Sequence, residues 1–95
     1  MYLVSRTKGF EKSYRRIKQS GRLKKQVEKR LDQTITALAS GKKLSIDYRD
    51  HQLMGRLAPY RECHIKGDLL LVYQIRKDKL VLVLVNIGTH SYLGL

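Results

Sequence analysis

The period of the apolar positions changes along the chain, and each change marks an element. A short apolar run predicts a strand over Tyr2 to Ser5. Thr7 then suits a helix N-cap, and Phe10, Tyr14 and Ile17, spaced by four and three, form one helical stripe of about three turns. Ser20-Gly21 breaks it. Leu23, Val27, Leu31, Ile35 and Leu38 recur every three or four residues as far as Ala39-Ser40-Gly41, where glycine suits a C-cap, so a helical hairpin is expected. From Lys42 to Pro59 the period is lost, and a long, partly ordered connection carrying Asp47, Asp50, His51, Gly55 and Pro59 is expected. Three strand-like runs come next, at Tyr60 to Ile65, Leu69 to Arg76 and Leu80 to Ile87, with Gly67-Asp68 and Lys77-Asp78 as tight turns. The last run is apolar on both faces, as in a central strand that is covered on both sides or shielded by the tail. The order β-α-α-β-β-β predicts an α+β fold, two N-terminal helices on one face of a small antiparallel-rich sheet. Residues 1–95 make one domain, because a chain this short buries barely more than one core.

Charge adds a partner to this outline. Lys plus Arg number 20 against 8 Asp plus Glu, a formal net charge of +12, which points to a polyanion such as nucleic acid or the ribosome. The excess is uneven: residues 1–43 hold 13 basic and 3 acidic side chains, residues 44–95 hold 7 and 5. Arg22, Lys25 and Lys29 lie opposite the second apolar stripe, and Arg15, Arg16 and Lys18 lie nearby on the first helix, so one basic docking face is expected. All three histidines fall in the other half, which separates proton chemistry from docking. The single cysteine, Cys63, has no partner for an internal disulfide, and no apolar run reaches the roughly 18 residues of a membrane span. The N-terminal apolar stretch is too short for a signal-peptide core and its charges come after it, so the cytoplasm is the expected location.

On the run Tyr60 to Ile65, alternation puts Tyr60, Glu62 and His64 on one face and Arg61, Cys63 and Ile65 on the other, toward the helices. Cys63 then behaves as a small buried hydrophobe, not as a nucleophile. His51 lies in the long connection, His64 and Asp68 flank one turn, and His90 comes after the last strand; a meander can gather all four. Cleaving RNA without a metal needs a base for the 2′-hydroxyl proton, an acid for the departing 5′-oxygen and cations for the charge on phosphorus. Histidine suits both proton roles. Arg56, Arg61 and Lys66 are the nearest cations to hold the phosphate. A zinc site from the histidines and Asp68 is disfavoured, because only His64 and Asp68 have the spacing of a short ligand pair; no metal or other cofactor is expected.

The segments Asp50-His51-Gln52-Leu53-Met54-Gly55, Tyr60 to Tyr73 and Gly88-Thr89-His90-Ser91 closely resemble, in order, the YafQ-type branch of the RelE superfamily of bacterial toxins. The resemblance implies a RelE-like fold over nearly the whole chain, and the toxin of a type II toxin-antitoxin pair that enters the ribosomal A site and cuts translated mRNA. It carries the catalytic roles onto His51, His64, Asp68 and His90. His90 is the implied acid, and the base stays open among His64, His51 and Asp68. The basic helices would dock on ribosomal RNA, and an acidic, DNA-binding antitoxin would cover the same surface, in a one-to-one complex or a heterotetramer. Two positions depart from the pattern: Asn86 stands where relatives carry a phosphate-holding Arg, and Gly94 where they carry a Phe that packs on the mRNA base. Tyr92 or Leu95 is the candidate to replace that contact, and Lys66 or Arg61 to replace the charge. Leu69 also stands where some relatives carry Trp. The departures motivate an alternative, a non-cleaving relative that binds RNA or antitoxin as a regulatory module.

Overall fold

The computed structural model describes all 95 residues. Strand β1 (Leu3–Arg6) leads into helices α1 (Lys8–Gln19) and α2 (Lys25–Ala39). The strands β2 (His51–Gln52), β3 (Arg61–Lys66), β4 (Leu69–Arg76) and β5 (Val81–Gly88) come next, and a short helix α3 (His90–Leu93) ends the order. They form one sheet in the order β1-β5-β4-β3-β2, parallel between β1 and β5 and antiparallel elsewhere. The α+β expectation holds.

Thr7 joins the first strand to the first helix. Its hydroxyl donates to the Val85 carbonyl at 2.7 Å and accepts from Phe10 N–H at 2.9 Å, so the residue that follows β1 is anchored to the sheet and caps α1. Helix α1 packs chiefly on β5 and α2 on β3, so each helix of the expected hairpin owes its place to the sheet more than to the other helix. Phe10, Leu31 and Leu38 meet Cys63, Ile65, Leu71, Tyr73, Leu82, Leu84 and Ile87 in a single core on this side. Arg30 ties α2 both to β3 and to the connection between them: Nε donates to the Ile65 carbonyl, Nη2 pairs with Asp47 at 2.9 Å, and the guanidinium lies 4.1 Å above the Tyr48 ring.

Four features differ from the sequence-based outline. The connection after α2 holds two single 3-10 turns, Ile46–Tyr48 and Gly55–Leu57, and the two-residue β2 between them, which are too short to show a period. Strands β1, β3 and β5 each lie one residue later than expected at both ends. The β4–β5 turn takes four residues, not two, with Leu80 at φ 54°. Residues after Gly88 fold into α3. Strand β5 is internal, as its composition requires, but only its core side is sealed: Leu82, Leu84 and Ile87 are buried, whereas Val81, Val83 and Val85 are half-buried. A bulge opposite Val72 and Tyr73 shifts the phase of β5, so that both Leu84 and Ile87 reach the core.

Candidate active site

Alternation along β3 sends Cys63 and Ile65 into the core and Glu62 and His64 to the opposite face. Pairing then assembles that face. Glu62 lies across from His51 of β2 and Val72 of β4, and His64 across from Leu70, which itself lies across from Gly88. His90, two residues beyond Gly88, is thereby brought beside His64, with ring centroids 5.7 Å apart at an interplanar angle of 61°. Thr89 caps α3 through its hydroxyl, which accepts from Tyr92 N–H at 3.1 Å and fixes the turn that carries His90.

Glu62 is the centre of the cluster. It is 3% exposed, and its Oε1 lies 3.6 Å from His64 Nε2 and 3.7 Å from His90 Nε2. The other His90 nitrogen, Nδ1, lies 3.0 Å from Asp68 Oδ1, so the ring is held between two carboxylates. That hydrogen bond holds the Asp68 carboxyl below its ordinary range. A neutral imidazole donates from one nitrogen only; a protonated one serves both neighbours. His51 stands at the rim, exposed, with Nδ1 at 2.7 Å from the Arg49 carbonyl. His51, His64, His90, Glu62 and Arg49 line one groove of about 530 Å³, whose apolar wall includes Leu53, Met54 and Leu57. Asp68 enters the site through His90.

Of the four cations and ring groups expected to hold RNA, the structure brings one to the histidines. Lys66 shares a second hollow with His64, Arg49 and Gly67. Arg56 is exposed on the Gly55–Leu57 turn and does not line the groove. Arg61 points to the other face, where Nε lies 3.3 Å from Asp50 Oδ1. Burial opposes its charge, but the Asp50 and Tyr73 hydrogen bonds raise its pKa. Tyr92 turns toward α1: its hydroxyl lies 2.8 Å from Ser13 Oγ, which donates to Asn86 Oδ1 at 2.7 Å, and Arg16 lies 3.9 Å over the ring. The ring sits so close to Gly88 that a Cβ there would lie 2.5 Å from it. Asn86 therefore serves a latch between α1 and α3. Gly94, at φ 75°, ends α3 in a left-handed conformation that suits glycine and not a Phe. The basic set Arg15, Arg16, Lys18, Arg22, Lys25 and Lys29 is exposed on α1, α2 and the link between them.

Two groove residues are not evident from the sequence. Alternation places Glu62 on the His64 face, but nothing in the pattern indicates that it is buried between two imidazoles. Arg49 sits in an aperiodic segment, at φ 50°, and carries no signal. Glu62, His64 and His90 also offer donor atoms within 4.8 Å of one another, a spacing a metal ion can bridge.

The family described as bacterial toxin of type II toxin-antitoxin system, YafQ, matches residues 2–94. A Helicobacter pylori toxin solved in a metal-bound form is 40% identical, with 98% of this chain and 99% of that one covered and a TM-score of 0.85. The Escherichia coli DinJ-YafQ toxin-antitoxin complex contains a chain that is 25% identical, with 97% and 96% covered and a TM-score of 0.81. A Haemophilus influenzae protein that carries the YafQ toxin name is 57% identical over 28 residues, 30% of this chain and 28% of that protein's length.

Proposed function

The chain belongs to the YafQ family of type II toxin-antitoxin toxins, and on that premise we propose that it is a ribosome-dependent endoribonuclease that cuts mRNA by acid and base catalysis. The observation that carries this reading is the groove in which Glu62 lies between His64 and His90 while Asp68 holds the far side of His90. His90, oriented by Asp68, protonates the departing 5′-oxygen. His64, with Glu62 behind it, takes the 2′-hydroxyl proton, and the oxygen so activated attacks phosphorus. Arg49 is the one permanently charged cation lining this groove and stabilises the charge that builds on the phosphoryl oxygens. The basic α1 and α2 surface docks on ribosomal RNA, in a cytoplasmic setting. The antitoxin of the Escherichia coli complex supports a protein partner that covers this toxin when it is not active.

Induced expression without antitoxin, wild type beside His90→Ala, tests the reading by mapping breaks in a translated reporter mRNA. Breaks within translated codons from the wild type only are expected. Equal breaks from both proteins, or none from either at matched soluble levels, would overturn it.

One observation favours a second reading. Glu62, His64 and His90 are a donor set that fits a divalent transition ion, and the Helicobacter pylori relative is metal-bound. An ion held there would supply Lewis-acid stabilisation at phosphorus. Cleavage that is lost with chelator and restored by added metal would select this reading over the metal-independent one.

A further inference from the structure

On the helix side of the sheet, beneath the segment after α2, lies a hollow of about 800 Å³. Five cations line it: Lys42, Lys43, Arg49, Arg61 and Lys77. The single acid among its walls, Asp50, is engaged by Arg61 at 3.3 Å and by the Tyr73 hydroxyl. No carboxylate lies within ion-pair distance of Lys42, Lys43, Arg49 or Lys77. Exposed lysines are ordinarily just solvated. Here they converge on a concave wall with their charge uncompensated, which focuses a positive potential into the hollow and favours an anion there.

Arg49 says which anion. It lines this hollow, the histidine groove on the other face and the second hollow beside His64 and Lys66. Its left-handed backbone, φ 50°, is a conformation that a bulky residue rarely holds without cause. Strand β2, the sheet edge between the two faces, is only two residues long, so the path from one face to the other is short. An isolated phosphate would use one side of Arg49. An extended chain of phosphates uses both.

We propose that the hollow is a second RNA subsite, holding backbone phosphates of the same strand that lies in the histidine groove, with Arg49 as the shared contact. It rests on the reading that the groove takes RNA. Lys42, Lys43 and Lys77 contact phosphates that flank the cut and carry no base preference.

Binding of labelled single-stranded RNA to the full chain, in a His90→Ala background that cannot cut, tests this by anisotropy across a salt series. Each phosphate contact on a single strand contributes about 0.7 to the slope of log K against log salt. Replacing Lys42, Lys43 and Lys77 together with Ser is expected to lower that slope by about 2 for a 12-mer and by much less for a 3-mer that fills only the groove. A charge-matched variant, Lys8→Ser, Lys12→Ser and Lys24→Ser, is expected to change the 12-mer slope far less. Equal slopes for the two triple variants would overturn the subsite in favour of bulk charge. An unchanged RNA slope, with loss of binding to a labelled polyglutamate peptide, would assign the hollow to an acidic protein segment instead and also overturn it. Cleavage separates the two claims. If the slope falls as expected but the wild type never cuts mRNA, the subsite stands and the nuclease fails; if mRNA is cut and the slope is unmoved, the reverse holds.

Discussion

The two faces of strand β3 are built from neighbouring residues to opposite ends. Cys63 and Ile65 are fully buried among apolar side chains, and every contact they make favours the folded chain. Glu62 is almost as deeply buried, at 3% exposure, yet its partners are two imidazoles at 3.6 and 3.7 Å, an arrangement that costs free energy to desolvate. One face gains stability from apolar burial, and the other holds titratable side chains together at a cost in desolvation. Period-two geometry keeps the two requirements a single residue apart without mixing them.

The sharpest way to break that separation is at His90. His90→Ala should lower cleavage by about 100- to 10,000-fold, the range for losing a general acid, while the thermal midpoint moves little, because the ring is half exposed. A matched fall in stability would mean that the two faces are not independent. On the other face, Leu71→Ala should cost about 2–5 kcal/mol, read from the denaturant midpoint, because a side chain with no exposed surface leaves a cavity. Activity per folded molecule should survive.

Cys63 gives a pH-dependent version. Burial pushes its thiol up to about 12. An unfolded thiol ionises near 8.5, so above that pH the unfolded chain loses a proton that the folded chain keeps, and stability falls as pH rises toward 12. Against Cys63→Ala, the wild type should lose about 2 kcal/mol more between pH 8 and pH 10. Parallel pH profiles for the two would show that the thiol is not sealed. Glu62→Gln sharpens the contrast from the reactive side: the near-isosteric amide should lower cleavage while the thermal midpoint moves little. A fall in both would recast Glu62 as a structural residue. The smallest effect belongs to the latch. Tyr92→Phe removes the hydroxyl that meets Ser13 and should cost about 1 kcal/mol, with a few-fold loss of cleavage as His90 loosens.

The helices and the three long strands were legible because each repeats a spacing several times: the α2 stripe, and the alternation that separates Cys63 from His64. Strand β2 and α3 were not, since two to four residues cannot display a period and owe their shape to neighbours. The parallel β1–β5 pairing leaves no local mark at all. The site divides the same way. Tight sequence motifs named His51, His64, Asp68 and His90, and the fold brings the three histidines to one groove with Asp68 behind His90. Arg49 was invisible because its place depends on a left-handed turn that composition does not announce. Asn86 and Gly94 read as losses in sequence, and the structure supplies the local reason for each: a hydrogen bond from Ser13 and a helix end.

The strand order has a consequence for how the molecule comes into being. The last strand in sequence, β5, is second in space, wedged between β1 and β4. As the chain emerges from its own ribosome, β1 and both helices wait for a neighbour made some seventy-five residues later. No shorter nascent segment can assemble the groove, since His90 arrives only after β5 has closed the sheet. Vectorial synthesis thus leaves the β1 edge and both helices without their sheet neighbour until the last strand has been made.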